Sequence, residues 1–327
     1  MKHKYFNSIK GLIKTFLFPI ILWLFMNTLI EIRGGSNIFA TTACIQDIFQ
    51  SSVMLAIIAI AVALPLASGR WDYAPGSIVV LTGIIAGNIA VDLGLNIGML
   101  VVLSIVVAVL LALFEGVLYI VFRVPTMIIS LGVVMLYEAL SGLVYDGAGI
   151  RLFMYEDLAI LARQPYCYIV LVIVLVLFWF LMKYTKFGFD SRSIGNNALL
   201  AMNNGVNEKK TIILTYVIVG CLLGIAALIN ASKAVVAPES NLSSTYLMFS
   251  SMGAVLVGLH LSRYSNMSLG ILSGTISMSV FTKGLTAYGL PGSLSNILLG
   301  IFIVSFMGIT TNWNYILEKI GKKQHET

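Results

Sequence analysis

Hydrophobic residues along the chain form long runs, separated by turns rich in polar residues or glycine. Ten runs are long enough to cross a bilayer, since one helical span needs about 20 apolar residues. They predict helices near residues 13–30, 48–68, 75–92, 97–121, 125–145, 166–182, 211–231, 245–261, 267–287 and 292–311. The stretches from Pro65 to Pro75 and from Gly258 to Gly270 also fit broken or re-entrant segments. The pattern predicts an all-α polytopic membrane protein with about ten transmembrane helices.

The composition excludes a soluble globular fold. Of 327 residues, 59% are hydrophobic and 10% are charged, with a mean hydropathy of +0.96. Soluble domains carry about 25% charged residues. The ten spans use most of the chain, so we interpret residues 1–327 as a single transmembrane domain. Two connections are longer than turns, at residues 146–165 and 183–210.

Lysine and arginine residues indicate the orientation. With an even number of spans, both termini lie on one side. If that side is the cytoplasm, 15 of the 20 Lys and Arg residues are cytoplasmic and five are outside, which follows the positive-inside rule. Loop 183–210 is then cytoplasmic and loop 146–165 is external. The net charge of +6 thus reports orientation in a lipid bilayer, and no nucleic-acid partner is expected.

Several residues are candidates for a pathway or for packing inside the membrane. Ionisable residues at membrane depth are rare and often functional, which singles out Glu115 and Glu138. Glu115 could face an inner vestibule or pair with Arg123. Gly76 and Ser77 could offer free helix-start N–H groups or a hydroxyl to a polar solute, although a simple turn fits equally well. Small-xxx-small pairs predict close helix packing at Ala254, Gly258, Gly270 and Gly274.

The sequence contains no motif typical of ATP hydrolysis, metal binding or catalysis. It has no Gly-x-x-x-x-Gly-Lys-Ser/Thr phosphate loop, so ATP hydrolysis would have to come from a partner chain. The cysteines are scattered without C-x-x-C spacing, and no metal site is expected. No Ser-His or paired-carboxylate spacing favours an intramembrane enzyme.

The loop at 183–210 contains a short apolar run, NALLAM, between turn-forming residues. Gly195, Asn196 and Asn197 precede its core, and Asn203, Asn204 and Gly205 follow it. This pattern predicts a helix of one or two turns at the membrane surface. An ordinary polar linker is the alternative.

At this loop the chain resembles the permease subunits of ribose-type ATP-binding cassette sugar importers, a branch that includes galactose and autoinducer-2 permeases. GNNALLAMNNGVN is similar to the family's Gly-Gly-Asn, seven residues, Gly-Ile-Asn motif. The similarity covers roughly residues 48–311 and includes GRWDYAPGSIVVLTG, RVPTMIISLG and VGLHLSRYSNMSLGILSG. The chain departs from the family at Arg70, Trp71, Pro75 and residues 263–266.

The resemblance implies a fold, a location and partners. The chain would be a permease of the bacterial inner membrane that translocates a sugar or similar small polar solute, with Asp72 near the pathway. Its coupling helix would include Gly195, Asn196, Asn197, Ala198, Leu199, Leu200, Ala201 and Gly205. The implied partners are an ATPase subunit, a second permease subunit of the same or a homologous kind, and an extracytoplasmic solute-binding protein. ATP and Mg would bind to the ATPase, and this chain would hold no cofactor.

Two other functions remain open from the residues. An ion-coupled secondary transporter could use Glu115 or Glu138 as a proton or sodium site. A receptor or scaffold would leave the ordered motifs unexplained.

Overall fold

The computed structural model describes residues 2–33 and 37–312. Over these residues the chain is helical, with one isolated β-bridge and no β-strand. The helices are α1 (Lys2–Ile32), α2 (Thr42–Ala67), α3 (Pro75–Asp92), α4 (Ile97–Phe122), α5 (Thr126–Leu143), α6 (Tyr166–Tyr184), α7 (Lys186–Asn196), α8 (Ala198–Asn203), α9 (Glu208–Ala231), α10 (Thr245–Leu261), α11 (Met267–Ala287) and α12 (Gly292–Thr311). The all-α prediction is confirmed.

Each of the ten predicted spans lies on one helix. Among the described residues, eight helices are long and apolar enough to cross a membrane by length and composition. The other two are α10, which has only 17 residues, and α11, whose sequence is diluted by Ser, Thr and Gly. Three lysines used for the orientation argument lie outside the described residues: Lys319, Lys322 and Lys323.

The predicted loop 183–210 contains two helices. α8 is the short helix that the NALLAM run predicts. The other, α7, was not predicted, because its sequence KFGFDSRSIGN is mostly polar and contains two glycines. Its start is capped by Thr185, whose Oγ1 accepts a hydrogen bond from Gly188 N at 3.3 Å. Arg192 donates to Met182 O at 2.9 Å, so local hydrogen bonds connect this helix to the end of α6.

The chain divides into two compact units, Met1–Phe49 with Gly253–Thr327 and Gln50–Met252. In the first unit, α1 packs along α11, where Ser273 Oγ donates to Thr15 O at 2.6 Å. Phe281 of α11 stacks on Phe302 of α12, with ring centroids 4.6 Å apart. The interpretation as a single domain stays a prediction.

The second unit is built on a close pair of helices, α4 and α9. Cβ atoms added at Gly220 and Gly224 would lie 2.5 and 2.8 Å from α4 backbone atoms, so the absence of side chains lets the helices approach. An apolar cluster closes one end of this unit, where loop 146–165 lies, and includes Ile84, Leu100, Ile150, Leu152, Leu228 and Val236.

Candidate functional site

The chain is not helical at residues 68–74, between α2 and α3. After Ala67, Gly69 takes a left-handed conformation with φ of +75°, which glycine adopts without the steric cost of a Cβ atom. Asp72 Oδ1 accepts a hydrogen bond from Ala74 N at 2.8 Å, a turn typical of aspartate. This segment, loop 68–74, places polar side chains in the interior of the second unit.

Asp72 and Glu115 of α4 form a buried pair of carboxyl groups. Their exposed fractions are 4% and 1%, and the two groups lie within hydrogen-bonding reach. In the described part of the chain, Asp72 Oδ2 and Glu115 Oε2 have no hydrogen-bond donor. Adjacent carboxylates repel each other in a buried site, so the pair is stable when it shares a proton. The arrangement can bind a proton or accept hydrogen bonds from a solute.

A pairing of Glu115 with Arg123 is wrong. Arg123 follows the last turn of α4 in a left-handed conformation, with φ of 54°, and its side chain is exposed. The two positions are eight apart in the chain, which corresponds to about 12 Å along the helix axis. Glu115 therefore meets Asp72 within the unit, and not the arginine at the helix end.

Arg70 of loop 68–74 points into the second unit. The residue is 4% exposed. Its guanidinium donates to Ser68 Oγ at 2.9 Å and to Glu208 Oε1 at 3.2 Å, and it lies 5.3 Å from the centre of the Tyr119 ring. Arg70 therefore connects loop 68–74 to the first residue of α9.

A second irregular segment, residues 237–244, runs beside α3. The residue before it pairs with Ile150, which packs on Gly87 near the end of α3. At the other end of the segment, the Ser244 carbonyl occupies the space where Gly76 would carry a Cβ atom. Gly76 and Gly87 lie about 16 Å apart along the helix. Segment 237–244 therefore reaches the first turn of α3. Because α10 begins only there, α10 is short.

Glu138 of α5 holds segment 237–244. Its Oε2 accepts a hydrogen bond from Leu242 N at 2.8 Å, and its Oε1 accepts from Ser244 N at 2.9 Å and Ser244 Oγ at 2.6 Å. Asn241 and Leu242 have positive φ angles of 55° and 64°. Irregular backbone at membrane depth needs internal hydrogen-bond partners, and Glu138 supplies them.

The five predicted pathway residues lie in one connected set around the first turn of α3. Tyr73 and Phe249, with ring centroids 5.7 Å apart, bring loop 68–74 beside α10. Ser77 Oγ donates to Ala74 O at 2.9 Å. The set consists of Asp72, Gly76, Ser77, Glu115 and Glu138, all of them buried. A solute could reach these residues only after helices move, and their role in a pathway stays a prediction.

The predicted coupling residues lie at the end of α7, on α8 and in the turn after it. Asn197 Oδ1 accepts a hydrogen bond from Leu200 N at 3.0 Å and caps the helix, and Gly205 ends the turn after it with φ of +84°. Leu199 and Leu200 are 71% and 59% exposed, whereas Ala201 is buried. Exposed leucines on a capped helix form a small apolar surface available to another protein.

Gly195, at the end of α7, joins the coupling segment, residues 195–205, to α2. A Cβ atom at Gly195 would overlap the carbonyl oxygen of Ala67, so the two backbones are in contact. Next to α8, a cleft of about 740 Å³ opens between α4 and α9, and it is lined by Tyr119, Arg123, Met202, Gly205, Asn207 and Glu208. Loop 146–165 and α8 therefore lie at opposite ends of α4.

The four small residues predicted for packing bring α10 and α11 together in the first unit. A Cβ atom at Gly258 would lie 2.6 Å from Ile271 Cα, and one at Gly274 would overlap Ala254 O. Gly270 likewise faces Gly258 O. The two helices thus approach at backbone distance along this stripe.

Four residues of this site carry no signal in the sequence. Glu208, Tyr119, Ser244 and Leu242 lie in ordinary polar or apolar surroundings in the sequence. Arg70 stands out in the sequence, because it departs from the family motif, but the sequence does not predict that its side chain is buried.

The chain matches proteins of known families. Residues 44–307 match the family described as "Branched-chain amino acid transport system / permease component". The autoinducer 2 import system permease protein LsrD of Yersinia enterocolitica is 27% identical over 65% of this chain and 66% of its own length. The galactofuranose transporter permease protein YtfT of Escherichia coli is 24% identical, over 79% and 76%.

The autoinducer 2 import system permease protein LsrC of Klebsiella pneumoniae is 28% identical over 80% of this chain and 76% of its own length. No solved structure matches the chain. These matches confirm the resemblance to permeases of sugar importers that the motifs indicated. Because the family match spans most of the chain, this protein belongs to the family of branched-chain amino acid transport system permease components.

Proposed function

We propose that this chain is the translocating subunit of an ATP-binding cassette importer, driven by a separate ATPase subunit and supplied by an extracytoplasmic solute-binding protein. One observation carries the proposal. The capped helix α8 exposes Leu199 and Leu200 at one end of the second unit, and the same segment contacts Ala67 through Gly195. A partner protein bound to α8 can therefore move α2 through this contact.

The proposed solute is a sugar or a similar small polar molecule. The relatives with the names quoted above import autoinducer 2 and galactofuranose. A cluster of polar residues supports such a solute, because Asp72, Ser77 and Glu115 lie around the first turn of α3 in a largely apolar bundle. The proposed pathway passes this turn and opens near the axis of a dimer with a second permease subunit.

The proposed orientation places α8 and both termini in the cytoplasm of a bacterial cell. Arg123, Lys209 and Lys210 are exposed at the α8 end of the second unit, which suits the cytoplasmic side. Loop 146–165 at the opposite end of α4 would then receive the solute-binding protein.

Co-purification with the ATPase subunit tests the proposal. Leu199→Asp combined with Leu200→Asp should remove the ATPase from affinity-purified permease, because charges replace the exposed apolar surface of α8. The control is Met154→Asp, which places a charge on a residue that is 65% exposed in loop 146–165 and should leave ATPase association intact. Unchanged association of the α8 variant would contradict the proposal.

An ion-coupled transporter is the second candidate, and the Asp72–Glu115 pair is the observation that favours it. Glu138 has its carboxylate engaged by segment 237–244, which leaves Glu115 as the better proton site. Proteoliposomes with permease alone, an imposed proton gradient and a panel of labelled pentoses and hexoses separate the candidates. Uptake without ATP would favour the ion-coupled mechanism.

A further inference from the structure

The residues that flank α8 on either side in the chain contact loop 68–74. On one side Gly195 meets the Ala67 carbonyl, and the Gly69 backbone lies beside it. On the other side, Glu208 forms an ion pair with Arg70 at 3.2 Å. α8 lies between Gly195 and Glu208 in the chain, so both flanks of this helix contact the same loop.

The two contacts differ in how they transmit movement. The backbone contact at Gly195 resists compression but does not pull. The ion pair resists both compression and separation, because its opposite charges attract each other. Water screens this attraction little, since the side chains of Arg70 and Glu208 are only 5% and 32% exposed. Separating the pair would leave a buried charge without its counter-ion, which is strongly unfavourable. Loop 68–74 and the start of α9 are therefore expected to move together.

Arg70 lies two residues before Asp72, whose carboxyl group fixes the start of α3 and meets Glu115. Ser68 and the Tyr119 ring hold the guanidinium from two further sides. A shift of Glu208 would thus be passed through Arg70 to the turn that carries Asp72.

On the basis of the function proposed above, we propose that the Arg70–Glu208 ion pair transmits the movement of α8 to loop 68–74 and the carboxyl pair behind it. Arg70 is a positioning residue in this arrangement. It acts through Asp72 and the first turn of α3 and needs no contact with solute.

The experiment measures loop movement in the complex with the ATPase subunit. A thiol is introduced by Trp71→Cys in a chain whose Cys44, Cys167 and Cys221 are replaced by alanine. Its reaction rate with N-ethylmaleimide is measured without nucleotide and after trapping with ATP and vanadate. With the ion pair intact, we expect trapping to change the rate at least fivefold.

Arg70→Gln, Glu208→Gln and the double variant should each reduce this change to less than twofold while ATPase association and ATP hydrolysis persist. The double variant should be no worse than either single one, because all three lack the same link. Arg70→Lys should retain part of the response. Lys209→Gln, which alters the exposed neighbouring residue, should respond as the parent does.

A full response in Arg70→Gln or Glu208→Gln would overturn the proposal, as would additive losses in the double variant. Loss of ATPase association in these variants would also overturn it, because the pair would then stabilise the docking surface. Failure of the proposed function has a different signature, since the Leu199 and Leu200 variant would then keep its ATPase.

Discussion

Glu138 and Ser244 are joined by two hydrogen bonds, because the backbone N–H and the hydroxyl of Ser244 both donate to Oε1 of Glu138, at 2.9 and 2.6 Å. The residues are 106 positions apart in the chain. This contact fixes an irregular segment whose backbone has few alternative partners inside a membrane. The glutamate in α5 therefore stabilises the start of α10.

Replacing Glu138 should destabilise the protein in proportion to the bonds lost. We expect Glu138→Ala to cost about 3 kcal/mol, because it leaves buried donors unsatisfied. Glu138→Gln should cost less, since its amide oxygen can still accept. Thermal unfolding in detergent measures both variants. Glu156→Gln, in an exposed ion pair with Arg163, is the control and should change little; equal effects of Glu138→Ala and Glu156→Gln would contradict the assignment.

The contact between Gly76 and Ser244 predicts a sharp limit on side-chain size at the first turn of α3. A Cβ atom at Gly76 would overlap the Ser244 carbonyl, so Gly76→Ala should cost about 2 kcal/mol through overpacking. Gly132→Ala is the matched control, because no atom of the described residues lies within 4 Å of a Cβ atom there. The thermal unfolding temperature should fall for the first variant and stay or rise for the second. A neutral Gly76→Ala would show that segment 237–244 does not press on α3.

The carboxyl pair predicts different results for two substitutions of Glu115. Glu115→Gln keeps the shape and offers Asp72 an N–H donor, so the free energy of unfolding should change by less than about 1 kcal/mol. Glu115→Leu removes the polar partner of a buried carboxyl group and should cost about 1–3 kcal/mol. Unfolding in detergent compares the two variants. If glutamine is as harmful as leucine, the two carboxyl groups do not share a hydrogen bond.

The helices of this protein were largely predictable, because hydropathy over about 20 residues is a local property of the sequence. The capped helix α8 was predictable for the same reason, since Asn197 and Gly205 are local signals. α7 was not, because its sequence is mostly polar and its buried face consists of Gly188, Ser191 and Ile194, of which only Ile194 is a large apolar residue. Its stability depends on contacts with Met182 and Thr185.

The candidate site was predictable only in part. Glu115 and Glu138 stand out as charges in apolar runs, but their partners depend on tertiary structure. Segment 237–244 reads APESNLSS, a sequence typical of a surface turn, and nothing local indicates that it enters the bundle. The inward direction of Arg70 likewise follows from Glu208, which lies 138 residues away.

The stripe of small residues between α10 and α11 should tolerate no large side chain. Leucine at Gly274 would need space that the Ala254 carbonyl and the Gly258 backbone occupy, so Gly274→Leu should separate the helices and lower the yield of folded protein. Gly300→Leu in α12 is the matched control, because a Cβ atom there has no neighbour within 4 Å in the part of the chain that the structure describes. Gel filtration in detergent measures the monodisperse fraction of both variants. If Gly274→Leu elutes as the unaltered protein does, the close approach of the two backbones does not hold them together, and α11 must depend instead on its contacts with α1.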